Sequence, residues 1–129
     1  MTMYISPSRP VTEIQNEFNQ AYPYLMLGFF LKNQKSRKIG EEEISLNLKT
    51  IRDCQSHPFT GSLEFYDSMP VSELEKILAD KFYLQAQVFR RAGKHWMQTT
   101  ITNNWSLAKQ NEHGRDITAA SGEYAGNNQ

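Results

Sequence analysis

The chain has 129 residues, 39% hydrophobic and 22% charged, an ordinary globular composition that excludes a wholly disordered polymer. Lys plus Arg and Asp plus Glu are each 14, so no overall field draws the chain to nucleic acid or anionic lipid, and a polyanion site would have to be a local patch. One cysteine, Cys54, excludes an internal disulfide; no Cys/His spacing of a structural zinc site occurs, and no run approaches the roughly 18 apolar residues of a membrane span.

In chain order, Met1 to Pro7 lacks the charged start and apolar run of a signal peptide, which leads to the expectation of a cytoplasmic protein. Pro10-Val11-Thr12-Glu13-Ile14 then opens a helix, with Thr12 and Gln15 at capping-box spacing and Val11, Ile14, Phe18 and Tyr22 on one apolar stripe. An aromatic, branched run from Tyr24 to Lys32 reads as a strand. Asn33 to Glu43 changes from basic to acidic around Gly40 and reads as a solvated, mobile loop.

Leu48, Ile51 and Cys54 predict a short helix to about Gln55, stopped by His57-Pro58, and Ser62 to Tyr66 alternates as a strand. Pro70-Val71-Ser72-Glu73-Leu74 repeats the first helix start at constant offset, with Ser72 and Glu75 at the same capping spacing and Val71, Leu74, Leu78 and Phe82 as its stripe. Leu84 to Arg91 and His95 to Ile101 read as a hairpin turning at Ala92-Gly93-Lys94. The alignment puts Phe29 and Phe89 in equivalent places. A last helix is predicted from about Trp105, capped by Asn103 or Asn104 and fraying near Gly114. Residues 1–114 then form one domain, and 115–129 a polar tail expected to be disordered.

Reactive residues are sparse. His57, His95 and His113 lack a second ligand at metal spacing, Cys54 on an apolar helix face is a small hydrophobe, and consecutive Glu41, Glu42 and Glu43 diverge into solvent. With no phosphate loop or nucleophile elbow either, the sequence gives no catalytic, metal or cofactor residue, and a small enzyme with an unrecognised pocket is its third reading. The best constellation is Arg90, Arg91, Lys94, His95 and Trp96, cations beside an aromatic on a strand-turn-strand unit, with Trp105 as a further aromatic anchor. Leu27-Gly28-Phe29-Phe30-Leu31 is similar to the aromatic strand of an RNA-recognition platform, but the basic residue before the glycine is missing.

Val71 to Glu75, Gln87-Val88-Phe89-Arg90-Arg91, Gly93, Trp96, Thr99-Thr100, Trp105, Leu107 and Gln110-Asn111, with Phe18-Asn19, Ala21-Tyr22-Pro23, Leu27, Phe29 and Phe30, resemble a family of small bacterial proteins built of paired helix-strand units. The likeness covers about two thirds of the chain and implies a bacterial origin and the unit boundaries, with no activity or site attached. Tyr83 stands where that family tends to carry glycine, and Asn103 and Asn104 where it tends to carry acids.

These elements predict an α+β protein with two helix-strand units on one face of a mainly antiparallel sheet of about four strands, in ferredoxin-like order. The free face or edge of such a sheet suggests a protein-interaction or assembly module, a homodimer being one form of it. A nucleic-acid-associated protein using Arg90, Arg91 and Lys94 is the alternative, disfavoured by the zero net charge.

Overall fold

The structure is a computed structural model that describes residues 1–32 and 49–121. The elements run β1 (Thr2–Ile5), α1 (Val11–Ala21), β2 (Leu25–Phe29), α2 (Ile51–Cys54), β3 (Gly61–Glu64), α3 (Val71–Phe82), β4 (Ala86–Ala92), β5 (His95–Gln98) and α4 (Leu107–Ala120). The class is α+β. Among the described residues the strands form two antiparallel sheets, β1-β3 and β2-β4-β5, in place of a single four-stranded sheet of ferredoxin-like order.

Helices α1 and α3 each start one residue after a proline, at Val11 and Val71, and neither N-cap makes a side-chain bond. The capping boxes expected from Thr12/Gln15 and Ser72/Glu75 do not form, because the Gln15 and Glu75 side chains go elsewhere. Gln15 Nε2 donates to the Leu27 carbonyl at 2.8 Å, and Glu75 Oε2 accepts from the Val88 N–H at 2.9 Å. Each helix is thereby tied to the strand that follows it. The stripes predicted from spacing face the core, with Val11, Ile14, Phe18, Val71, Leu74, Leu78 and Phe82 all wholly buried.

The internal repeat extends well beyond the two helices. Val11 N–H bonds the Lys49 carbonyl and Val71 N–H the Trp105 carbonyl, both at 3.0 Å. Ile51 N–H bonds Arg9 and Leu107 N–H bonds Met69, both at 2.9 Å; Arg52 N–H bonds Pro7 and Ala108 N–H bonds Asp67. Among the described residues both units share the order strand, helix, strand and second helix, with β5 as an extra strand before the last helix of the second, and the units meet about an approximate two-fold: Met3 faces Leu63 in one sheet and Leu27 faces Val88 in the other. One hydrophobic cluster draws on matched residues of both, including Ile14 with Leu74 and Ile51 with Leu107.

Several boundaries differ from the sequence expectation. The short helix is Ile51–Cys54, capped through Thr50 and Asp53, and the last helix begins after Ser106, whose hydroxyl accepts from Lys109 N–H, not after Asn103 or Asn104. It runs through Gly114 to Ala120, past the boundary expected at residue 114. Gly114 is a packing glycine: a Cβ there would lie 2.9 Å from Arg90 Cγ and 3.0 Å from Tyr24 Cβ, so its absence lets α4 approach β4. The loop reading for Asn33 to Glu43 and the end of the tail, 122–129, lie outside the described residues. Among the described residues no helix is long and apolar enough to cross a membrane.

Candidate functional site

Adjacent strand residues point to opposite faces, so β4 divides the constellation that the sequence places together. Arg90 turns toward α4. Its Nη1 donates to Gln110 Oε1 at 2.9 Å and to Thr102 Oγ1 at 3.4 Å, its guanidinium lies 5.9 Å from the Trp105 ring centre, and its buried Nε has no partner. Burial without a facing carboxylate holds the Arg90 pKa below its ordinary value. Trp105 also carries Lys109 at 4.4 Å and meets His113 edge-on at 5.2 Å.

Arg91 points the other way, onto its cross-strand partner Trp96 at 5.2 Å, while its Nε donates to the Gly93 carbonyl at 2.6 Å. Lys94 sits exposed in the turn and His95 opens β5, also exposed. The structure thus pairs Arg90 with Trp105 and Arg91 with Trp96 and does not gather the six residues into one patch. Among the described residues no carboxylate lies within ion-pair distance of Arg90, Arg91 or Lys109.

The remaining sequence candidates are structural in setting. Cys54 is buried and its thiol is pushed up to about 12, chiefly by desolvation, so little thiolate exists at neutral pH. His57 packs its ring 5.3 Å from Tyr83. Among the described residues no cluster of three His, Cys, Asp or Glu side chains is arranged to hold a metal. Phe29, the aromatic of the strand similar to an RNA platform, is wholly buried in the core and presents no ring to a base.

Sequence reasoning missed a groove of about 440 Å³ between β3 and α3, with Leu63 and Ile77 as apolar lining and Glu64, Glu73, Lys76, Asp80 and Lys81 as charged lining. Phe65 N–H bonds the Met1 carbonyl at 2.8 Å, and alternation along an antiparallel pair then turns the N–H and C=O of Ser62 and Glu64 outward, along the open edge of β3. Glu73 accepts from the Tyr66 hydroxyl at 3.0 Å, and Lys76 pairs with Asp80 at 2.8 Å.

The matching site in the first unit lies between β1 and α1, where Arg9 occupies the position that Met69 holds in the second. Arg9 Nη1 donates to the outward Tyr4 carbonyl at 2.7 Å, and its Nε and Nη2 bond Glu13 at 3.1 Å and Glu17 at 2.6 Å. Met69 instead turns into the core at 1% exposure, and nothing equivalent to the Arg9 side chain reaches the β3 edge. Only a comparison of the two units in space shows this difference, since Arg9 and Met69 carry no motif.

No family model, no curated protein and no solved structure matches the chain. Its function therefore rests on its own geometry.

Proposed function

We propose that the protein is a cytoplasmic, non-catalytic interaction module that takes an extended segment of a protein partner by strand addition to the open edge of β3, in the groove against α3. The observation that carries this reading is the contrast between the two units: one strand-helix groove is filled by Arg9, and its counterpart is open with two residues' backbone groups turned into it. Main-chain bonds to a free edge supply affinity, and side-chain contacts in the flanking groove supply selectivity. The edge of β2 is blunted by comparison, since Asn19 and Gln15 side chains donate to the outward carbonyls of Leu25 and Leu27 at 2.9 and 2.8 Å. A chain with one cysteine, and so no internal disulfide, suits a reducing compartment. The bacterial family that the sequence resembles remains part of this proposal.

A second reading, nucleic-acid association through Arg91 with Trp96 on one face or Arg90 and Lys109 with Trp105 on the other, is favoured by the lack, among the described residues, of carboxylate partners at those three cations. The same recovery experiment separates the two. Tagged protein is incubated with lysate, with and without nuclease, alongside Ser62→Pro, which removes an outward N–H from the β3 edge, and Arg91→Glu, which reverses charge on the far sheet. Strand addition predicts a stoichiometric protein lost with Ser62→Pro and retained with Arg91→Glu. Recovery that is nuclease-sensitive, lost with Arg91→Glu and unaffected by Ser62→Pro overturns the groove in favour of the basic residues.

A further inference from the structure

We infer that the occupant of the β3-α3 groove is an extended segment bearing an arginine, whose guanidinium bonds the Glu64 carbonyl and the Glu73 carboxylate; this rests on the docking reading above. The molecule contains the template for that contact. In the first unit Arg9 joins a strand-edge carbonyl, Tyr4, to a carboxylate in the first turn of the helix, Glu13, and to a second carboxylate one turn on, Glu17. The second unit keeps the acceptors that matter: Glu64 matches Tyr4 with its carbonyl turned to the edge, and Glu73 matches Glu13. What it lacks is the cation, because Met69 has taken Arg9's place and is buried.

The other differences refine the partner. Ile77 stands at the position of Glu17, so of the two helix positions that meet Arg9 in the first unit the groove keeps one carboxylate, Glu73, and has an apolar wall at the other. A guanidinium suits such a site better than an ammonium, since its planar fork serves a carbonyl and a carboxylate together while its aliphatic stem lies against Ile77. Asp80 does not add an equal anionic site, because Lys76 holds it at 2.8 Å. Among the described residues the Glu73 carboxylate is engaged only by the Tyr66 hydroxyl, a neutral donor that a guanidinium can join or displace.

The test uses the full chain and an acetylated, amidated pentapeptide, Thr-Val-Arg-Val-Thr, whose palindromic order places the arginine on the same side in either strand direction. Its Lys, Gln and Glu counterparts at the central position are compared by amide chemical shifts of isotope-labelled protein. The inference predicts shifts at Ser62, Leu63, Glu64 and Ile77, with the arginine peptide binding about tenfold tighter than the glutamine peptide. Glu73→Gln abolishes that preference while leaving the glutamine peptide's affinity unchanged. In Arg9→Ala, which empties the first-unit groove, the arginine peptide acquires a second site with shifts at Thr2 and Tyr4. If the four peptides bind the groove equally well, the arginine preference is wrong and strand addition stands. If none shifts the β3 edge at millimolar concentration, the docking reading falls and the inference with it. Should Arg9→Ala fail to fold, the Glu73→Gln comparison decides alone.

Discussion

Glu75 shows how one side chain in the repeat is spent differently in the two units. Its counterpart Gln15 donates to the Leu27 carbonyl, whereas at β4 the Val88 carbonyl is taken by Thr99 Oγ1 at 2.9 Å, leaving Glu75 to accept from Val88 N–H and, at 3.0 Å, from Asn103 Nδ2. Desolvation raises the Glu75 pKa above its ordinary 4.5, opposed by those two donors. A carboxyl held above its unfolded value is more readily protonated in the folded state, so its contribution is fully present below 4.5 and is lost as pH rises through the folded value. Glu75→Gln is expected to flatten the urea-unfolding free energy between pH 4.5 and neutrality, an Asn103 amide flip preserving both bonds. Glu75→Ala strands the Val88 N–H and is expected to cost about 1–3 kcal/mol at any pH. Wild-type stability that rises with pH over that interval, and does so only when Glu75 is present, would contradict the assignment.

At the scale of the element, α1 and α3 differ by one residue, and that residue accounts for much of what the sequence conceals. Helix α1 has 11 residues and stops before Pro23; α3 has 12 and ends on Tyr83 in the left-handed region, φ 57°, with Leu84 N–H bonded back to the Leu78 carbonyl at 3.0 Å. The repeat was legible in Pro10-Val11 and Pro70-Val71, and the helix stripes and the Gly93 turn were legible from spacing and turn chemistry. The extra residue shifts the alignment after the helix, so the apparent match of Phe29 with Phe89 misleads. Phe29 is opposite Ala86 and Leu25 is opposite Arg90, which makes Arg90 the true counterpart of Phe29. Strand β1 went unread because four residues at the chain start give too short an alternation to detect. A left-handed cap is a position that ordinarily favours glycine, and here it carries tyrosine. An L side chain costs about 1 kcal/mol there. Tyr83→Gly should therefore be more stable than Tyr83→Ala by about 1 kcal/mol in denaturant unfolding, the reverse of their order inside a helix. Ala equal to or better than Gly would mean the cap relaxes out of that geometry.

At the scale of the molecule, the two units do not own separate cores or separate sheets. β1 finds its only described partner in β3, β2 its only described partner in β4, and Phe18 of one unit packs its ring 5.7 Å from Phe65 of the other. The groove belongs to this scale as well, since its meaning comes from the counterpart that Arg9 closes, a relation between chain positions far apart that no local pattern carries. If the pairing across the approximate two-fold is what supports the fold, a chain cut between Pro58 and Phe59 yields fragment 1–58, in which neither β1 nor β2 keeps its described strand partner, and fragment 59–129, in which β3 loses its described partner and β4 keeps only the hairpin with β5. An isolated hairpin is marginal in water, and each helix would expose its apolar stripe. Neither fragment alone should give a cooperative thermal transition, while an equimolar mixture should recover the circular dichroism spectrum and a single cooperative transition of the intact chain at 1:1 stoichiometry. Gln55, whose Nε2 bonds the Phe59 and Phe82 carbonyls at 3.0 and 3.1 Å, would hold the cut ends near their native places without a covalent link. A fragment that folds cooperatively as a monomer would show that its unit is self-sufficient, and the groove would then have to be understood within the second unit alone rather than as the open member of a pair.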